Sequence, residues 1–178
     1  FIANHELGIG PFENLKQLAD AARGQNWTFT FGAKNSTSSH MMPRSFFQQQ
    51  TGGRPEDVFR TVAFSGSHNV VLEKVANGEF HLGALGQPPY DRASAETKQR
   101  APIVYTTPNF TNYCLAARAD LGAELLKELR EALFALDAST EEGQKVLAYL
   151  RAGSFIPAEM AEWMGYVELL ESGVDIGD

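Results

Sequence analysis

Strands alternating with helices, an α/β fold, are what this sequence predicts, and three observations predict it. Short runs of β-branched and aromatic residues recur at Trp27-Thr28-Phe29-Thr30-Phe31, Thr61-Val62-Ala63-Phe64 and Phe80-His81-Leu82-Gly83-Ala84-Leu85. Amphipathic runs of helical period lie between them. The first two strands each hand over to a turn of glycine and short hydroxyl residues, where an extended chain can become a helix. The resulting β-α-β-α-β order argues for a parallel sheet covered by helices.

Each element follows from its own pattern. Residues 1–7 read as a strand and 8–11 as a turn. Residues 12–23 form a helix with Phe12, Leu15, Leu18, Ala19 and Ala22 on one face, ended by Gly24. Strand 27–32 leads to helix 37–50, which Gly52-Gly53 stops; Pro43 inside it demands a late start or a kink. Strand 61–65 precedes helix 67–77, with Ser67 as its cap, Val70, Val71, Val75 and Leu72 inward, and Gly78 as its stop. Strand 80–85 follows, then a short polar helix from Pro88-Pro89 to about residue 100. Strands 103–106 and 113–117 are joined by the loop 107–112. Beyond Asp120 the texture becomes helical, at 123–136, 140–150 and 157–170. Their stripes of Leu125, Leu126, Leu129, Leu133 and Leu136, then Met160, Trp163, Met164, Val167 and Leu170, read as core-packing faces that need another surface to cover.

Composition narrows the function. The 178 residues, 43% apolar and 21% charged, suit one folded domain, or one lobe and part of another. A net charge of −7 without a Lys/Arg run excludes nucleic acid as a partner and leaves any anion to be caught by local dipoles. Cys114 is the only cysteine and reads as a buried strand residue. No His/Cys spacing suits a metal, and no cofactor motif is present. No apolar run approaches a membrane span and no signal peptide is seen. The opening Phe1-Ile2-Ala3-Asn4 reads as the start of a fragment.

The chemistry concentrates at two turns. Ser36, Thr37 and Ser38 follow a strand and stand where the first N–H groups of a helix lack internal partners. Such amides, the positive end of the helix dipole and short hydroxyls together make an anion site. A lone Ser there is explained by capping; with three in a row, capping and anion binding both stay open. About thirty residues on, Ser65-Gly66-Ser67-His68 repeats the design, with His68 in the first turn of its helix as a further donor. A structural role within its own loop is the other reading of His68. Two such turns at the ends of parallel strands suggest one shared pocket.

The ordered motifs Phe31-Gly32…Ser36-Thr37-Ser38…Pro43-Arg44, then Phe64-Ser65-Gly66-Ser67-His68, Val75-Ala76-Asn77-Gly78 and Gly83-Ala84 resemble the phosphate/phosphite/phosphonate-type periplasmic substrate-binding proteins of ABC importers. Order and spacing match through about residue 120. The opening residues, with Phe29-Thr30-Phe31-Gly32, are most similar to a branch named for selenate import.

The resemblance implies a type II periplasmic-binding-protein-like fold: an α/β lobe with helices on both faces of its sheet, plus C-terminal helices of a second, incomplete lobe. Residues 1–8 would be the first crossing strand and 9–108 a complete lobe. Residues 109–178 would hold the second crossing strand and helices of the other lobe, whose N-terminal half is absent. It implies a small tetrahedral oxyanion as ligand, an ABC permease and ATPase as partners, a periplasmic or extracytoplasmic lipoprotein location, and contact with the membrane only through the transporter. The ligand contacts it implies are Ser36, Thr37, Ser38 and His68, with Ser67 beside them. In the crossing loop the family usually carries an acidic residue where Asn112 stands here, followed by Tyr113. Asn can donate to a fully ionised oxygen where a carboxylate would accept a ligand proton. Gly86 occupies a position often Asp or Asn in relatives, so a partner for a ligand ammonium group is missing. The expected ligand therefore has no amino tail.

Two other classes compete. A ligand-sensing domain of a signalling protein would use the same chemistry. A phosphate-handling enzyme would need Ser36 or Ser67 as nucleophile with His40 or His68 as base, yet no Gly-x-Ser-x-Gly elbow, phosphate-binding Gly-Lys-Ser/Thr loop or Mg²⁺ carboxylate cluster accompanies them. The sequence therefore reads as a binding protein, not an enzyme.

Overall fold

A four-stranded sheet of order β1-β4-β2-β3 organises the first part of the chain, where β1 is Ile2–Ala3, β2 Thr28–Phe31, β3 Thr61–Phe64 and β4 Leu82–Gly83. The computed structural model describes residues 1–111, 114–150, 152–171 and 173. They fall into two units, Phe1–Asn112 with Trp163–Asp178, and Tyr113–Glu162. In the first, β2 pairs in parallel with β3, Phe29 opposite Val62 and Phe31 opposite Phe64, and with β4, Thr30 opposite Gly83. The sheet is mixed rather than wholly parallel, because β1 runs antiparallel to β4 at its edge.

Helices lie on both faces. Helix α1 (Leu15–Ala22) and α2 (Met42–Thr51) cover one, with Leu15, Leu18, Ala22 and Phe47 packed on Phe29 and Phe31. Phe29 stacks on Phe59 with ring centroids 4.9 Å apart. Helix α3 (His68–Ala76) covers the other with Val71, Leu72 and Val75, joined by Ile2 and by Tyr90 of α4 (Gln87–Asp91). Burying each such side chain contributes roughly 1.5–3 kcal/mol. The connection after β2 passes over one face to β3, and the connection after β3 crosses the other face to β4. The carboxyl end of β2 is therefore a point where the winding reverses, the usual position of a ligand crevice in an open α/β sheet.

Several expected elements are shorter or divided. The strand expected at 1–7 ends at Ala3 because Asn4 turns the chain: its Oδ1 accepts from Glu6 N at 3.0 Å and its Nδ2 donates to Val75 O at 2.8 Å. The strand expected at 103–106 reduces to a single bridge between Ile103 and Ile2. Residues 114–117 pair with no strand among the described residues, and Cys114 is exposed rather than buried. The helix expected to run to residue 100 is two, α4 and α5 (Ala95–Arg100), because Ser94 caps a new start by accepting from Thr97 N at 3.1 Å. Pro43 acts through a late start: a π-helical turn, Thr37–Met41, precedes α2 and leaves Pro43 in its first turn.

Helices α6 (Ala123–Phe134) and α7 (Glu141–Leu150) are the two α-helices among the described residues of the second unit. Thr140 Oγ1 caps α7, accepting from Gly143 N at 3.1 Å. The helix expected at 157–170 is a short 3-10 turn, Met160–Trp163, followed by α8 (Met164–Glu171), which belongs to the first unit. The apolar stripes of these helices are not core as expected. Leu125, Leu129, Met164, Val167 and Leu170 are all exposed, and Leu147 is the one large apolar side chain fully buried among the described residues of the second unit.

Candidate functional site

Two turns meet at the carboxyl ends of β2 and β3. The strand ladder runs on past the strands themselves, with Ser65 N donating to Phe31 O at 2.8 Å and Gly66 N to Gly32 O at 3.1 Å. The start of the π-helical turn and the start of α3 are thus held side by side. Gly32 is required by the close approach: its N–H donates to Ser39 O at 3.1 Å, and a Cβ there would lie 2.1 Å from Ser39 Oγ. Ser39 Oγ is buried with no hydrogen-bond partner among the described residues.

Ser36 and Ser67 are caps. Ser36 Oγ accepts from Ser39 N at 3.2 Å and Ser67 Oγ from Val70 N at 3.3 Å. The first backbone bonds of the two helices are donated by His40 N to Ser36 O and by Val71 N to Ser67 O. The amides of Thr37 and Ser38 precede the first of these, and those of His68 and Asn69 precede the second, where helical geometry supplies no acceptor. Ser36, Thr37, Ser38 and His68 are half-buried and Ser67 is exposed. Ser38 and His68 are brought together: Ser38 Oγ and His68 Cε1 lie 3.2 and 3.3 Å from the point where a Gly86 Cβ would stand. Asn112 and Tyr113 lie outside the described residues.

His68 Nδ1 accepts from Gly86 N at 3.0 Å. A nitrogen that accepts carries no proton, so the neutral ring keeps its hydrogen on Nε2 and can donate from there. Burial, and then the charge of Arg92, hold the His68 pKa below the ordinary histidine value. The site thus offers amides, hydroxyls and an uncharged imidazole N–H, a donor set suited to an anion.

In the sequence, His40 stood only as a candidate base of the enzyme alternative and Arg44 only within the motif Pro43-Arg44. His40 is buried, edge-on to Phe31 and Phe64, with Nδ1 2.6 Å from Lys34 O and Nε2 accepting from Arg44 Nε at 2.9 Å. Arg44, nearly buried above Phe31, forms a two-pronged pair with Glu56 at 2.8 and 2.6 Å. Burial pushes the Glu56 carboxyl up, but the Arg44 hydrogen bond and charge, with a backbone N–H, outweigh it and bring it below the ordinary range. This chain of contacts pins the hydroxyl-bearing turn from behind. The i, i+4 spacing of His40 and Arg44 was the available signal; the link to Glu56 was not legible. His81, just before β4, meets Thr28 of β2, its Nδ1 2.9 Å from Thr28 Oγ1.

Residues 7–163 match the family described as ABC transporter, phosphonate, periplasmic substrate-binding protein, and the chain belongs to that family. It is 28% identical over 176 residues to a probable ABC transporter phosphite binding protein, PhnD1, of Prochlorococcus marinus strain MIT 9301, across 95% of this chain and 58% of that relative. The structure of PhnD1 in complex with methylphosphonate superposes with a TM-score of 0.76 at 27% identity, covering 96% of this chain and 64% of that one. A binding protein component of an ABC phosphonate transporter from Pseudomonas aeruginosa shares the fold, with a TM-score of 0.66 at 23% identity over 95% and 55% of the two chains. The present chain therefore spans less than two thirds of the length of these relatives.

Proposed function

We propose that this chain carries the oxyanion-binding portion of an ABC-importer solute-binding protein, taking a small tetrahedral anion of the phosphonate or phosphite kind. One observation carries the reading: Ser38 and His68 converge on one small space from two helix starts at the ends of adjacent strands. Helix-start amides, hydroxyls and the His68 N–H replace the water around an anion, and no bond is made or broken. On this reading Thr37 and Ser38 are contacts, Ser36 and Ser67 hold the two turns in shape, and Asn112 and Tyr113 complete the set. The segments keep their assigned roles, 1–8 as the first crossing segment with β1 as its strand, 9–108 as the anion-holding lobe, and 109–178 as part of a second lobe. The partners are an importer's permease and ATPase, and the location is periplasmic. Family membership and the likeness to PhnD1, named a probable phosphite binding protein and solved in complex with methylphosphonate, support transport over sensing or phosphate chemistry.

Isothermal titration with phosphite, methylphosphonate, phosphate, selenate, sulfate and 2-aminoethylphosphonate tests the reading. Phosphite or methylphosphonate is expected to bind most tightly. Tightest binding of the amino compound would remove the expectation of a ligand without an amino tail, and heat from none of the six would remove the oxyanion itself.

A further inference from the structure

Gly86 is buried at the start of α4 with φ −74° and ψ 149°, a backbone that any L-residue adopts. The absence of a side chain there answers to space, not to backbone strain. The atoms a Cβ would crowd are Ser38 Oγ at 3.2 Å, His68 Cε1 at 3.3 Å and Ser38 Cβ at 3.4 Å. These belong to the two anion-site turns and to no part of the core. The same residue's N–H occupies His68 Nδ1 at 3.0 Å. Were the ring to hold its proton on Nδ1, Nε2 would carry a lone pair, which repels an oxyanion where an N–H attracts it.

We propose that Gly86 is the positioning residue of the oxyanion site: its N–H fixes His68 as the Nε2–H tautomer, and its missing side chain lets Ser38 and His68 reach the same ion. The consequence for binding rests on the oxyanion reading above; the placement of the proton does not. One backbone amide thereby sets whether the second turn attracts or repels the ligand. It does so without adding a charge.

Two variants separate the two roles. Gly86→Ala keeps the N–H and adds a Cβ. Gly86→Pro adds similar bulk and removes the N–H, at a φ that proline accepts. Long-range ¹H–¹⁵N correlation at about pH 8, above the ordinary histidine pKa, reads the His68 tautomer in the ligand-free full chain. Calorimetry with methylphosphonate and phosphite reads affinity. The wild-type chain and Gly86→Ala are expected to show the proton on Nε2, with binding weakened about tenfold in the variant by the narrowed site. Gly86→Pro is expected to show mixed tautomers and a further loss of about tenfold, the scale of one hydrogen bond. A proton on Nδ1 in the wild-type chain, or a Gly86→Pro variant matching Gly86→Ala in both readings, overturns the proposal. Nitrogen–nitrogen coupling across the Gly86–His68 hydrogen bond in the wild-type protein decides the point if the proline variant does not fold: its presence supports the lock and its absence refutes it. A wild-type chain that binds neither probe, yet keeps the proton on Nε2, defeats the oxyanion reading and upholds the tautomer assignment.

Discussion

Helices α1 and α6 carry the same kind of amphipathic pattern, yet one is buried and the other is not. In α1, Leu15, Leu18, Ala19 and Ala22 are sealed against the sheet and α2. In α6, Leu125, Leu129 and Phe134 are each 43% exposed, and no residue of the helix is buried. A stripe of apolar residues names the face that gains from leaving water, but the gain is realised only when another surface is present to receive it. The α/β unit supplies that surface from its own sheet. The Tyr113–Glu162 unit buries Leu147 and little else among its described residues.

The largest test of this contrast is Phe47→Ala. Phe47 is fully buried between α2 and the sheet, and its truncation is expected to cost about 3–5 kcal/mol. Leu129→Ser is expected to cost within about 0.5 kcal/mol. Urea unfolding separates them: Trp27 and Trp163, the only two tryptophans, both belong to the first unit, so fluorescence follows Phe47→Ala, and far-ultraviolet dichroism follows Leu129→Ser. A Leu129→Ser cost as large as that of Phe47→Ala would break the comparison, since the α6 face would then be covered in solution.

Next in size, Thr37→Ala is expected to weaken oxyanion binding by about 1.5–3 kcal/mol through loss of a charge-assisted hydrogen bond. Calorimetry on the variant measures this, and unchanged affinity takes the Thr37 hydroxyl out of the site. Glu56→Gln is expected to cost about 1 kcal/mol of stability. It leaves the nearly buried Arg44 guanidinium without its counter-charge, but the half-exposed carboxylate limits the effect. Urea midpoints for the variant and the wild-type chain supply the value, and identical midpoints would show that water replaces the carboxylate without cost.

The smallest effect concerns pH. The folded state holds the His68 pKa below its unfolded value through burial and the Arg92 charge. As pH falls below about 6.5, the unfolded chain takes up this proton before the folded one does. The contribution is therefore present above the unfolded pKa and lost as pH falls through the folded pKa. His68→Gln should show a shallower decline in urea midpoint between pH 7.5 and 5.5. The other histidines are common to both proteins and cancel in the difference. Parallel slopes for the two proteins would contradict the assignment.

Strand and helix periods, the two hydroxyl-bearing turns and the Ser67 cap were legible in the sequence because they depend on neighbours only a few residues apart. The same holds for the burial of Val71 and Val75 on one side of α3. That local information also carried the resemblance through which the family was reached. Tertiary structure alone decided that β1 would run antiparallel at the edge, that Arg44 would find Glu56, and that the backbone of Gly86 would orient His68. It also left the α6 stripe exposed and Cys114 open to solvent. Each of these outcomes depends on groups distant along the chain arriving at hydrogen-bonding or packing distance, and neither residue type nor local period encodes that meeting.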